Sequence, residues 1–169
     1  METAEEGTKM EEAAKYDKSN WRSVFAEELK KNTSILCVED EAIILEGMRI
    51  VLKRRFNAVY TATNGKEGIE VFNNNKIDIV ITDILMPIMD GIEMATNIKN
   101  ISPDTPILIL SAISEEPFLK KAAALGLYDY IAKPYCDDEF FEVLYRAAFE
   151  VYKRKNTAFT PSPEIAELL

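Results

Sequence analysis

The chain has 169 residues, 47% of them hydrophobic, which suits one globular domain with a real core plus short extensions and leaves little room for two full domains. Its formal net charge is −9 with no histidine, so attraction of the whole chain to nucleic acid or to an anionic membrane is not expected. Two cysteines without histidine make neither a structural zinc site nor a disulfide framework, and the longest apolar runs are far too short to span a bilayer. The polar, acidic start has no apolar core of a signal peptide, and the expected location is cytoplasmic.

The opening METAEEGTKMEE is polar and reads as frayed. Trp21, Phe25 and Leu29 then recur at i, i+4 and i+8, which predicts a helix with one apolar face. That face is expected to dock on the chain's own main domain, with a partner subunit as the alternative. From Ser34 the pattern becomes regular. Residues 34–38 form a short apolar strand in which Cys37 reads as a small core hydrophobe. Residues 41–55 predict a helix with Ile44, Leu45, Met48, Val51 and Leu52 inward, and 58–62 a second strand. Asn64-Gly65 opens a helix that runs to about Asn75. Residues 77–82 are a nearly continuous apolar strand, as in parallel sheets buried on both faces. A helix over 92–100, a turn at Ser102-Pro103-Asp104 and a strand over 106–110 follow. The next helix covers 115–125 with Gly126 as its C-cap, then comes a weak strand over 128–132. The last clear helix begins at Asp137, whose carboxylate with that of Asp138 faces the positive helix end, and runs to about Tyr152. The basic triplet Lys153-Arg154-Lys155 reads as a solvated helix end, and the tail FTPSPEIAELL as loosely held.

Five strands alternating with five helices predict an α/β fold: a doubly wound (βα)5 unit with a five-stranded parallel sheet in the order 2-1-3-4-5, preceded by an extra N-terminal helix. The expected division is a helical extension over 1–33, the main domain over 34–152, and a tail or linker start over 153–169. Sites in such sheets lie beyond the C-terminal strand ends, where the strand order reverses. Those ends carry Glu39 and Asp40, then Asp83, then Ser111, then Lys133-Pro134. A lone acidic residue after a strand is usually a solvated loop carboxylate. Here Glu39, Asp40 and Asp83 converge, and such an acidic set calls for a compensating cation, with Mg²⁺ the natural occupant of hard oxygen ligands. With a lysine and a hydroxyl donor beside it, the set suits a dianionic group transferred onto a carboxylate.

The motifs resemble those of the receiver domain of bacterial two-component response regulators, the CheY-like family, over roughly residues 33–152. ILCVEDE resembles its first strand and acidic pair, Glu39 and Asp40. IDIVITDILMPIMDG resembles the phosphoacceptor segment, with Asp83 as acceptor and Met86-Pro87 and Asp90-Gly91 in the loop after it. ILILSA places the switch hydroxyl at Ser111, and YDYIAKPY places the switch aromatic at Tyr130 with Lys133 and Pro134 after it. Glu39 stands where aspartate is commoner, a mild departure.

The resemblance implies a phosphoprotein that takes phosphoryl from a histidine kinase or histidine phosphotransfer protein onto Asp83. Mg²⁺ would be held by Asp40, Asp83 and the Leu85 carbonyl, with Glu39 reaching it through water. Lys133 would touch the phosphoryl oxygens, and Ser111 and Tyr130 would move to remodel the face of the last two helices and the fifth strand. Pro87, Gly91 and Pro134 would shape the loops. The protein would be no enzyme in the usual sense, with self-phosphorylation and autodephosphorylation its only chemistry. A homodimer through the switch face is expected on analogy, without direct nucleic-acid binding or membrane insertion. Too few residues follow Tyr152 for a DNA-binding output domain, which leaves a stand-alone receiver or a receiver piece of a longer regulator or hybrid kinase. A phosphorylation-independent pseudo-receiver is the remaining alternative. A haloacid-dehalogenase-type enzyme would want aspartate where Leu85 stands, and a flavodoxin-like binder would want a phosphate loop where EDEA stands. The kinase, stimulus and pathway are not legible in the sequence.

Overall fold

The computed structural model describes residues 21–112 and 116–157, with backbone alone over 21–24. The polar start, the Trp21 side chain, residue 115 and the FTPSPEIAELL tail lie outside the described residues. The elements in order are α1 (Trp21–Asn32), β1 (Ser34–Val38), α2 (Ala42–Lys53), β2 (Ala58–Ala62), α3 (Gly65–Asn74), β3 (Ile79–Thr82), α4 (Gly91–Ile101), β4 (Ile107–Ser111), α5 (Glu116–Ala124), β5 (Asp129–Ala132) and α6 (Asp137–Lys155). All strands pair in parallel in the order β2-β1-β3-β4-β5, as the sequence predicts.

Alternation along the strands builds two cores. Ile35 and Cys37 of β1, Ile79 and Ile81 of β3, and Leu108 and Leu110 of β4 join one cluster with α1, α2 and α6. Leu36, Val38, Val80 and Ile107 face the opposite way, toward α4, with α3 packed against them. A period of two therefore buries both sheet faces, which is why the strands read as unbroken apolar runs. Cys37 is buried, and its thiol is pushed up to about 12 by burial first and by the Glu39 charge next, so it stays protonated as a core hydrophobe.

Helix α1 docks on the chain's own domain. Leu29 is fully buried, and the Phe25 ring meets Phe149 edge-on at 5.0 Å and Tyr152 at 6.1 Å. The Asn57 N–H donates to the Lys30 carbonyl at 3.0 Å, which fixes the helix to the entry of β2.

Of the boundaries that differ from the sequence reading, three have a visible cause. The third strand begins at Ile79, because Asp78 turns its carboxylate to the Ser34 N–H and hydroxyl, both at 2.9 Å, and so caps β1. The fourth strand runs from Ile107 to Ser111, one residue later than expected, because Pro106 has no N–H to give the ladder and only its carbonyl bonds, to Val80 at 3.0 Å. The last helix continues to Lys155, and its basic end is not simply solvated. Arg154 donates to the Asp104 carbonyl at 2.6 Å, and Lys155 to Asp78 at 2.7 Å and to the Asn32 carbonyl at 2.8 Å. Gly126 ends α5 with φ +61°, in the left-handed region a C-cap glycine supplies.

Leu29→Ala is expected to cost about 2–5 kcal/mol in urea unfolding, because it empties a fully buried site between α1 and α6. Tyr128 makes stability depend on pH at the alkaline end. Burial, then the charge and hydrogen bond of Glu150, push its phenol up to about 12, so the unfolded chain loses this proton first. Stability therefore falls as pH rises from about 10 toward that value, and Tyr128→Phe is expected to flatten the slope in melts taken across that window.

Candidate functional site

The strand order reverses between β1 and β3, whose ends lie side by side with Val38 opposite Thr82. The Asp83 N–H continues the ladder to the Val38 carbonyl at 3.2 Å, and the Glu39 N–H donates to the Ala62 carbonyl at 3.1 Å. Both acidic side chains are thus set on backbone that is still sheet. On the other flank, the Lys133 N–H donates to the Ser111 carbonyl at 2.9 Å. The peptide bond joining Lys133 to Pro134 is cis.

These anchors bring Lys133 between two carboxylates. Its ammonium donates to Glu39 Oε2 at 2.8 Å and to Asp83 Oδ2 at 3.4 Å. The side chains of Glu39, Asp83 and Lys133 are 3%, 17% and 19% exposed. Burial alone would push the Lys133 ammonium down. The Glu39 hydrogen bond, the Asp83 and Glu39 charges and the Asp83 hydrogen bond outweigh it and hold the group above its ordinary value. Asp83 also accepts from the Ile84 N–H at 2.6 Å through Oδ1.

Ser111 is buried at the end of β4. The Tyr130 hydroxyl is buried without a hydrogen bond of good geometry, and the Ser111 hydroxyl and the Asp83 carboxylate are its polar neighbours. Burial pushes the Tyr130 phenol up, Asp83 adds to this and Ser111 opposes it. Asp40 and Leu85 lie exposed beside the buried set. The structure therefore gathers Glu39, Asp83 and Lys133 into direct contact, sets Ser111 and Tyr130 beside them, and leaves Asp40 and Leu85 at the margin.

Two features escaped the sequence reading. Glu39 pairs directly with Lys133, a contact over 94 positions of sequence that no local pattern signals. The Thr82 hydroxyl donates to the Asp83 carbonyl at 2.8 Å, although threonine in a strand usually reads as a β-branched filler. Gly91 closes the loop after β3. Its N–H donates to the Ile84 carbonyl at 2.8 Å, and a Cβ there would lie 1.9 Å from the Asp83 carbonyl oxygen.

Among the described residues, no group of three or more histidine, cysteine, aspartate or glutamate side chains is drawn close enough to hold a metal ion. The sequence reading has three acids, Glu39, Asp40 and Asp83, converging beside the Leu85 carbonyl; the structure does not draw the three into one cluster, and Asp40 is exposed. Such an oxygen-only donor set fits Mg²⁺, which keeps several waters and takes one or two protein carboxylates. An open depression of about 380 Å³ between α4 and α5 is lined by Asp90, Thr96, Lys121 and Leu125, and none of Glu39, Asp83 and Lys133 lines it.

The profile of the response regulator receiver domain matches residues 35–145. The chain belongs to that family. As a receiver it is a signalling module of the CheY-like kind. It is 34% identical over 115 residues to the chemotaxis protein CheY of Listeria monocytogenes, across 67% of this chain and 97% of that one. It is 33% identical over 149 residues to the transcriptional regulatory protein YvrH of Bacillus subtilis, across 82% of this chain. The chain spans only 62% of the length of YvrH, and 26% of another matched regulator, GlrR of Escherichia coli. Among solved structures, the response regulator TrrA of Thermotoga maritima, in complex with Mg²⁺ and BeF, superposes with a TM-score of 0.61 at 30% identity, over 68% of this chain and 98% of that one. No described helix of the receiver is long and apolar enough to cross a membrane.

Gly91→Ala is expected to displace the loop after β3, because the intruding methyl meets backbone that cannot rotate away. Thermal melting should show a loss of at least about 2 kcal/mol, within the range of overpacking and backbone strain.

Proposed function

We propose that Asp83 is the phosphoacceptor of a two-component signalling receiver that works in the cytoplasm, and that Asp40, Asp83 and the Leu85 carbonyl hold Mg²⁺ with Glu39 outside them. The observation that carries this reading is the placement of Lys133 between Glu39 and Asp83, in a buried site otherwise made of oxygen donors. A phosphohistidine on a histidine kinase or a phosphotransfer protein is the donor. One Asp83 oxygen forms the P–O bond as the N–P bond breaks, and the imidazole nitrogen leaves with the bonding pair. The bound Mg²⁺ supplies charge neutralisation for the phosphoryl oxygens.

The chain's own groups do the rest. Asp83 is held in line by its N–H bond to Val38 and by the Ile84 N–H on Oδ1, which leaves Oδ2 as the attacking oxygen. Lys133 exchanges part of its pairing with Asp83 for the incoming phosphoryl oxygens, and Glu39 keeps the ammonium in place through that exchange. Loss of one negative charge on Asp83, with arrival of a dianion, changes the field at Ser111 and Tyr130. Both then reorient toward the phosphoryl group and shift the population of the α5–β5–α6 face, which is the output surface. The unit that does this is residues 34–152, with the preceding helix as its extension.

With Mg²⁺ and acetyl phosphate, the intact mass is expected to rise by one phosphoryl group, and Asp83→Ala should show no gain. Beryllofluoride should bind the wild type and not the variant. Absence of both in the wild type would favour a pseudo-receiver. Lys133→Ala should still bind Mg²⁺ but lose phosphorylation by roughly 10²–10³-fold, the cost of removing one charge-stabilising donor.

A further inference from the structure

Parallel strands joined by returning helices give the receiver two unlike edges. Helix first turns meet the edge that carries Asp83, and they hold Glu67, Glu93, Glu116 and Asp137. Helix last turns meet the opposite edge, where β1, β2 and β3 begin. They hold Lys30 and Lys31 of α1, Lys53 of α2, and Lys153, Arg154 and Lys155 of α6. Charges so placed suit the helix dipoles and by themselves imply no ligand.

The edge opposite Asp83 carries more than the dipoles ask for. Arg54, Arg55 and Lys76 add to it from the segments that lead into β2 and β3, beyond the last helical turns. Hydrogen bonds draw residues 30–34, 53–57, 73–78 and 153–156 together around the strand entries. The Asn57 N–H donates to the Lys30 carbonyl at 3.0 Å, the Ser34 hydroxyl to the Lys76 carbonyl at 2.6 Å, and the Lys155 ammonium to the Asn32 carbonyl at 2.8 Å. These four segments hold nine lysines and arginines against one carboxylate, Asp78. That carboxylate is already taken by Ser34 and Lys155. Lys31, Lys53, Arg54 and Lys76 are exposed and make no hydrogen bond or ion pair among the described residues. The acids of the Asp83 edge do not cancel this charge. A strand of five residues such as β1 is about 16 Å long, roughly twice the distance over which physiological salt screens a charge.

We propose that this basic edge binds the phosphate backbone of a nucleic-acid duplex without reading its bases. The segments present cations together with the exposed amides of Asn57, Asn73 and Asn74, and such groups make the contacts to phosphate and sugar. None of the exposed large hydrophobic side chains lies on them, and their one aromatic ring, Phe56, is fully buried. A lipid surface is therefore offered nothing apolar to take up, and a single strand has no ring on which its bases could stack. The net charge of −9 opposes attraction of the whole chain, and the uneven placement of charge reverses this at the one edge. The inference departs from the absence of nucleic-acid binding expected on analogy. It uses none of the groups assigned to phosphoryl transfer and stands apart from the Asp83 reading.

The test is a fluorescence-anisotropy titration of a short fluorescein-labelled DNA duplex with the full chain. At about 50 mM salt the wild type should half-saturate below about 10 µM, and by about 200 mM the affinity should fall roughly hundredfold, the change expected when about four phosphate contacts are lost. A variant combining Lys31→Gln, Lys53→Gln, Arg54→Gln and Lys76→Gln should bind at least about tenfold more weakly, with a much shallower salt dependence. All four positions are exposed, so its thermal melting should match the wild type. Its labelling by acetyl phosphate should also be unchanged, since Asp83 lies at the other edge. A control combining Lys66→Gln, Lys120→Gln and Lys121→Gln, on other exposed surfaces, should keep the wild-type affinity. No binding by the wild type at about 50 mM salt overturns the proposal, as does full affinity in the first variant. Equal loss in the control shows a diffuse attraction and overturns it too. Binding to phosphatidylserine vesicles without binding to the duplex assigns the edge to a lipid surface, and the proposal fails. Loss of acetyl phosphate labelling in the wild type is a different result, which removes the Asp83 reading and leaves this one standing.

Discussion

One ammonium between two carboxylates sets the terms for the rest of the receiver. Glu39, Asp83 and Lys133 are each largely withdrawn from water, and a buried charge without a partner costs several kcal/mol. The pair of acids is tolerated because Lys133 answers both, and Lys133 stays charged because they answer it. The set is not at rest electrostatically. One lysine facing two carboxylates leaves a net negative site, open to a divalent cation and, once that cation is bound, to a phosphoryl dianion. Stability and reactivity therefore draw on the same three side chains, taken from the ends of β1, β3 and β5.

The fold holds those ends still through backbone bonds. Asp83 and Glu39 remain on the ladder through Val38 and Ala62, and Lys133 is fixed through Ser111. The loop after Asp83 is folded tightly back on it. At Gly91 the approach is too close for a side chain, and at Ile88 the turn takes a conformation that an isoleucine adopts only under constraint. At the opposite end of the sheet, Lys155, Asp78, Ser34 and the Asn32 carbonyl tie α6, β1, β3 and α1 together. The N-terminal helix is in this way part of the core, with Leu29 and Phe25 buried against α6.

Much of this was legible in the sequence, and the reasons are physical. Continuous apolar runs such as residues 79–82 signal strands buried on both faces, and their spacing with helices permits essentially one crossover topology. Topology then assigns every chemical residue to one sheet edge, so Asp83, Ser111 and Lys133 could be named before their distances were known. What stayed hidden depends on three dimensions. The Glu39–Lys133 pair joins distant segments, and the capping of β1 by Asp78 shortens the third strand by a side-chain bond that no periodicity carries. The basic end of α6 read as solvated because its acceptors are backbone carbonyls and an aspartate far away in sequence. Ile88 gave no signal at all, since a strained φ leaves no trace in an isoleucine codon.

The most direct test of the account is to find the atom that carries phosphate. The chain, labelled with acetyl phosphate and Mg²⁺, is reduced with borohydride, which converts an acyl phosphate to the alcohol, and its peptides are mapped by mass spectrometry. The account predicts homoserine in place of Asp83 and at no other aspartate. Reduction at Asp40, a glutamate alcohol at Glu39, or a phosphopeptide that resists borohydride would contradict it.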